Sequence, residues 1–292
     1  MRPKIVDWLN ATLGTSPFVW LVPSPAVVYV IATLVVMVVF VTRCRSVGLL
    51  RYHALGATIW GLIGGLVGAR LLYLLLRADQ VWREPGMLID FSGGTMSWGA
   101  YFGGFLGFAL YFRNEHQSPW RYADVLASVF GLAPFIARFA CFLNGDDYGR
   151  VTNVAWGVTY PQGSLAFDAH AQQGLLGPGA SVSLPVHPVQ LYLAATGLAL
   201  FLLFSRLWRR LDLPAGALFF LYWAADGATR FGLEFFRGDT ERTYLGAFPD
   251  AQVIALLVAL VSTTAFARAR LFDRGDGPNS RHHAVARSQY RM

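Results

Sequence analysis

Charge is scarce in this 292-residue chain: Asp, Glu, Lys and Arg make up 14% of it, while 55% is hydrophobic. Soluble domains carry about 25% charged residues, so a water-soluble enzyme with one ordinary core is excluded. The apolar residues gather instead in runs of about 20, the length that crosses a bilayer. Lysine is rarer still. Lys4 is the only one, which excludes a retinal Schiff base within those runs. Two cysteines, Cys44 and Cys141, are too few for a disulfide framework or a thiolate metal site. There is no HExxH, no CxxC, no set of acids spaced for a metal and no Walker-type phosphate loop. Neither a metal nor a soluble cofactor is expected.

What is present is arginine, and its distribution sets the topology. Hydropathy places seven spans near 23–43, 54–77, 94–112, 122–144, 189–208, 215–236 and 249–268. The segments after spans one, three and five, together with the C-terminal tail, carry 14 of the 24 basic residues. The positive-inside rule therefore predicts an all-α integral membrane protein with its N-terminus outside and its C-terminus in the cytoplasm. The net charge of +7 is spread between spans rather than gathered on one domain. An anionic leaflet, not nucleic acid, is its expected counterpart.

Three regions are expected: an external amphipathic arm over 1–22, a transmembrane domain over 23–270 and a polar, basic, disordered tail over 271–292. The first has no continuous apolar core or cleavage site, so it reads as a retained arm. Residues 145–188 form one long external loop, and loops of that length are functional or disordered. Spans two and three carry Gly64 and Gly68, then Gly99, Gly103 and Gly107, each four apart. That spacing predicts a smooth ridge for close helix packing.

Chemistry concentrates in three stretches. The first, IARFACFLNGDDYGR over 136–150, puts Arg138 inside span four and Asn144, Asp146, Gly149 and Arg150 where that span surfaces. An arginine in hydrocarbon costs roughly 2.5–3.5 kcal/mol on insertion scales and needs a partner. In the second, Asp226, Arg230 and Glu234 stack on one face of span six at four-residue spacing. They form either a self-neutralising ladder or, with Arg138, a pair of cations suited to a phosphodiester, whose oxygens match arginine's planar fork. The third, LPVHPVQLY over 184–192, offers His187 as a proton acceptor or a structural hydrogen-bonder, with Gln190 and Tyr192 as neutral partners. Arg70, near the end of span two, is structural or supporting.

Together these stretches resemble the bacterial prolipoprotein diacylglyceryl transferase family. The likeness rests on Arg138–Asn144–Gly145–acid–Gly149–Arg150, the Trp156-Gly-Val turn, and His187-Pro-x-Gln-Leu-Tyr192. It also rests on Arg230-Phe-x-x-Glu234-Phe-Phe-Arg237 and Gly68-Ala-Arg70-Leu, covering most of 60–240. The resemblance implies transfer of diacylglyceryl from phosphatidylglycerol to the lipobox cysteine of lipoprotein precursors at the bacterial inner membrane, near the outer leaflet. It implies that Arg138, Asn144, Gly149, Arg230, Gln190 and Tyr192 bind the lipid, with Arg138, Arg230, Glu234, Asp146 and His187 as the catalytic set. Trp98, Cys141, Asp226 and Leu193 depart from the family pattern, which leaves the general base open among His187, Asp146, Asp226 and Glu234. The alternatives are a divergent paralogue with another acceptor, and a non-enzymatic transporter or binding protein for anionic lipid.

Overall fold

A computed structural model describes residues 25–90, 94–113, 115, 117–239 and 248–275. The arm expected over 1–22, and all of the tail beyond 275, lie outside the described residues. Among the described residues the fold is helical, with only isolated β-bridges outside the helices. Helix α1 spans Pro25–Ser46, α2 Arg51–Leu75, α3 Ala78–Arg83, α4 Ser97–Phe112, α5 Pro119–Phe130 and α6 Leu132–Asn144. Helix α7 spans Leu165–Gln172, α8 Val189–Arg210, α9 Ala217–Leu233 and α10 Asp250–Gly275.

Among the described residues four helices are long and apolar enough to cross a membrane: α1, α2, α8 and α10. The expected fourth span is instead two helices, α5 and α6, meeting at a 40° bend, and the pair can count as a fifth. The bend falls at Gly131, where an added Cβ would overlap the carbonyl oxygen of Gly197 on α8. Helix α4 has 16 residues and α9 has 17. At 1.5 Å rise per residue these are rods of about 24 and 26 Å, shorter than the roughly 30 Å hydrocarbon core.

The chain divides into two compact units. One contains Met37–Leu126 and Leu213–Phe219. Its centre is the packing of α2 on α4 through the expected glycine ridge. A Cβ on Gly68 would fall on the carbonyl oxygen of Gly99, and one on Gly103 on that of Gly64. The backbones touch where side chains would otherwise stand. Gly103→Leu should therefore force the helices apart, at a cost of about 1–3 kcal/mol or more. A drop in the detergent-solubilised thermal midpoint would register it; an unchanged midpoint would refute this packing.

Arg70 has a structural role in the same unit. Its guanidinium donates to the carbonyls of Gly94 (3.1 Å), Asp90 (2.6 Å) and Met87, gathering the chain between α3 and α4. At the start of α9, the Asp124 carboxylate accepts from the backbone N–H of Gly216 (2.7 Å) and Phe219 (2.9 Å). Those are two of the donors that a helix N-terminus leaves unsatisfied.

The second unit contains Ala127–Asp212 and Phe220–Arg268. Here the segment expected as a long loop is folded. Bridges Val151–Val186, Val158–Val186 and Pro161–Val182 fasten it, and α7 adds a helix capped by the Ser164 hydroxyl. Tyr148, Tyr160, Ala166 and Val186 bury together as its small core. Glycine, proline and polar residues hid this order from hydropathy. The order comes from a few aromatic and aliphatic anchors rather than from an apolar run.

Candidate active site

The site grows from the C-terminus of α6. Arg138 and Cys141 are three residues apart and share a face of that helix. Helix α6 ends at Asn144 because Gly145 turns left-handed, with φ at 82°, and its N–H closes on the carbonyl of Cys141 at 2.8 Å. This glycine cap terminates helices without the steric penalty of a Cβ. Asp147 follows, also left-handed at φ 53°, the only non-glycine residue with positive φ among those described.

That turn carries the Asp147 carboxylate back to Arg138, which donates to its Oδ2. The other oxygen, Oδ1, accepts from Arg237 Nη2 at 2.7 Å. Arg237 also meets Asp239 through Nε (3.0 Å) and Nη2 (2.9 Å), and its Nε lies 3.6 Å from Glu234 Oε1. The Arg138 and Arg237 side chains are 13% and 15% exposed, so these charges are held largely out of water. Burial alone would raise the Asp147 carboxyl, but the Arg138 and Arg237 guanidiniums outweigh it and hold it below the ordinary carboxylate range.

Asp146 faces the opposite conditions. Burial first, and the Asp147 charge second, push its carboxyl up. Oδ2 accepts from Asn144 Nδ2 at 3.3 Å, while Oδ1 is buried with no hydrogen-bond partner among the described residues. Adjacent acids in one turn are thus driven in opposite directions, a recurring sign of divided acid–base roles. Beside them, Tyr29 on α1 brings its hydroxyl within 3.3 Å of Cys141 Sγ.

Three chain segments lock this turn in place. Gly149 N–H donates to the His187 carbonyl (3.1 Å), and His187 N–H donates to that of Arg150 (3.0 Å). Arg150 N–H donates to the Phe236 carbonyl (2.8 Å), and Gly238 N–H to that of Tyr148 (3.0 Å). The turn after α6, the entry to α8 and the exit from α9 are stitched together at Gly149.

The LPVHPVQLY stretch supports the turn. Trp156 Nε1 donates to the Tyr192 hydroxyl (2.7 Å), which stands 3.2 Å from His187 Nδ1. An indole N–H is only a donor, so the hydroxyl is free to give its own proton to Nδ1. Gln190 is fully buried, and its amide donates to the Asp146 carbonyl (2.6 Å) and to the Tyr160 hydroxyl (3.0 Å).

Comparison with known proteins identifies the family. The family model described as prolipoprotein diacylglyceryl transferase matches residues 22–268. The chain belongs to that family. A Clostridium tetani protein named phosphatidylglycerol–prolipoprotein diacylglyceryl transferase is 28% identical over 226 residues, 77% of this chain and 84% of that protein. Proteins of the same name from Rhizobium meliloti and Geobacter sulfurreducens are 30% and 31% identical, covering 73% and 69% of this chain. Family membership and several apolar helices together make the chain a multi-pass membrane protein.

For this member of the diacylglyceryl transferase family, the geometry alters several sequence expectations. Arg138, Asn144, Asp146, Gly149, His187, Gln190, Tyr192 and Glu234 all lie within the linked network just described. The cation sharing Arg138's carboxylate is Arg237, which enters the sequence analysis only as the end of the Arg230–Arg237 motif, with no role of its own. Arg230 on α9 binds Asp226 through Nε at 2.7 Å, both side chains being largely buried. The expected ladder is thus divided: Asp226 takes Arg230, and Glu234 lies beside Arg237. Arg138 does not depend on an outside anion, because Asp147 already supplies one. Gln190 is enclosed, and its amide fastens the turn to Tyr160.

Asp147 and Arg237 carry no assigned role in the sequence and acquire one only from the geometry. The available signal was a buried Arg138 followed, one left-handed turn later, by two acids rather than one.

Proposed function

We infer that this chain transfers the diacylglyceryl group of phosphatidylglycerol to the lipobox cysteine thiol of lipoprotein precursors, releasing glycerol phosphate. This is the first step of bacterial lipoprotein modification. The relatives' names give the substrates. The observation that carries the reading is the convergence of Arg138 and Arg237 on the two oxygens of one carboxylate, Asp147. Two guanidiniums so arranged can grip two oxygens of a phosphodiester.

In the reaction, the acceptor thiol loses its proton and its sulfur attacks the glyceryl carbon. A carbon–sulfur bond forms as the bond from that carbon to the phosphate oxygen breaks, and glycerol phosphate leaves with the electron pair. Arg138 and Arg237 stabilise the charge that builds on the leaving phosphate, with Arg230 holding the headgroup from α9. Thiols ordinarily titrate near 8.5, so a base is needed at neutral pH. Asp146 is our choice. Its carboxyl is raised towards the working range and Oδ1 is unoccupied by any described donor. Asn144 orients that carboxyl, while Glu234, His187, Gln190 and Tyr192 hold the frame.

A base acts when ionised. Transfer should therefore rise with pH along an acid limb lying above the ordinary carboxylate value of 3.8. Asp146→Asn should remove that limb and lower the rate about 10²-fold. A pH–rate profile that survives the substitution unchanged would assign the proton to another group.

For the topology we propose seven spans. Helices α4 and α9 complete the set, the latter lengthened to 20 residues by the 3-10 turn Glu234–Phe236. The N-terminus lies outside, the C-terminus lies in the cytoplasm and the site faces the outer leaflet of the inner membrane. The domain plan of an external arm over 1–22, a transmembrane domain over 23–270 and a tail over 271–292 belongs to the same proposal. Complementation tests the function. A bacterium depleted of its own diacylglyceryl transferase should grow when this chain is expressed. Arrest despite membrane-inserted protein would favour a paralogue with another acceptor or a lipid carrier.

A further inference from the structure

We propose that the Asp147 carboxylate is an internal anion standing where the lipid phosphate will sit, and that anionic lipid binds by displacing it. This rests on the reading of Arg138 and Arg237 as the phosphate's holders. Three observations carry it.

The first is shape. One carboxylate oxygen on each guanidinium is the contact pattern that two oxygens of a phosphodiester would make. The second is charge. Two guanidiniums, Arg138 and Arg237, already face three carboxylates: Asp147, Asp239 and Glu234. Another anion entering this poorly hydrated cluster meets repulsion unless a carboxylate leaves, because low dielectric strengthens like-charge interactions too.

The third is mounting. Glu234 and Asp239 flank Arg237 within three residues along the chain and stay with it. Asp147 reaches in from a separate turn. It is the most exposed side chain of the five, at 26%, and its backbone is left-handed.

The resting protein therefore keeps its arginines paired and unavailable to weak anions, and the threshold for entry is set by Asp147. Asparagine has nearly the same shape and tolerates left-handed backbone as aspartate does, so Asp147→Asn removes the charge with little change in fold. Asp147→Gly, which accommodates φ 53° without strain, provides a second variant should the first prove unstable.

The test uses the full-length protein in nanodiscs of phosphatidylcholine, titrated with short-chain phosphatidylglycerol and read by intrinsic tryptophan fluorescence. Either variant should bind phosphatidylglycerol about tenfold tighter than wild type or better, with no gain for short-chain phosphatidylcholine. Equal or weaker binding in folded variants would overturn the displacement and make Asp147 a fixed organiser of the arginines. Absence of selective binding in every protein would overturn it as well. Selective binding by wild type with no transfer to a lipobox peptide would instead sink the proposed function, and the ratio between variant and wild type would still judge Asp147.

Discussion

Arg138→Ala should lower diacylglyceryl transfer by at least about 10³-fold, the upper range for removing one preorganised donor from a developing anion. The expected loss is large for two reasons. Arg138 donates directly to the carboxylate that stands in for the phosphate, so its loss removes half of the grip. It also leaves the Asp147 charge with Arg237 alone, in a cluster that already contains Asp239 and Glu234. The remaining guanidinium would be held by three acids. Arg138→Lys should recover little, because an ammonium is a point charge and cannot reproduce a planar, directed fork. Initial rates in phosphatidylglycerol nanodiscs measure both variants. Near-wild-type turnover in Arg138→Ala would remove this residue from the site.

Gly149→Ala should cost about 10²-fold or more in rate, although residue 149 touches no substrate in this account. A misplacement of about 1 Å in supporting structure is enough for a loss of that size. An added Cβ would fall on the His187 carbonyl oxygen, 2.7 Å from His187 Cβ and 2.8 Å from Val189 Cγ2. On the other side Gly238 packs against the Gly149 carbonyl, equally without room. The turn after α6, the entry to α8 and the exit from α9 would have to separate. Asp147 and Arg237 ride on two of those segments, so their 2.7 Å contact would open. Overpacking of this kind also destabilises by about 1–3 kcal/mol. Rates and thermal midpoints measured together separate misplacement from unfolding, since a folded variant with wild-type turnover would contradict the three-segment junction.

The sequence revealed more of the helices than of the turn. The glycines on α2 and α4 were legible because the four-residue spacing of Gly64–Gly68 and Gly99–Gly103 repeats the helical period. The break in the fourth span was not. Phe130, Gly131 and Leu132 continue an apolar run, and hydropathy does not register a change of axis. The folded character of 145–188 was hidden for the opposite reason. Its core is four small or aromatic residues, Tyr148, Tyr160, Ala166 and Val186, scattered among polar ones.

At the site, Arg138, Arg230 and Glu234 were visible because charge in an apolar run demands a reason. Which of Asp146 and Asp147 would meet Arg138 was not readable. The left-handed cap at Gly145 and the left-handed Asp147 set those directions, and neither spacing nor hydropathy reports φ. Arg237 stands in the family motif but carries no role in the sequence, for a related reason. It sits three residues beyond Glu234, just past the apolar run, where a charge needs no explanation. The bridge between Gly149 and Arg237, with the hydrogen bonds from Arg150 to Phe236 and from Gly238 to Tyr148, holds that segment beside the turn.

The most direct measurement is mass spectrometry of a lipobox peptide incubated with the purified chain in nanodiscs containing phosphatidylglycerol with isotope-labelled acyl chains. The account predicts a labelled diacylglyceryl increment on the peptide's cysteine, equimolar glycerol phosphate, and neither product from the Arg138→Ala variant. An unmodified peptide beside wild-type protein that binds and retains phosphatidylglycerol would contradict it, and would leave a site that holds anionic lipid without transferring it.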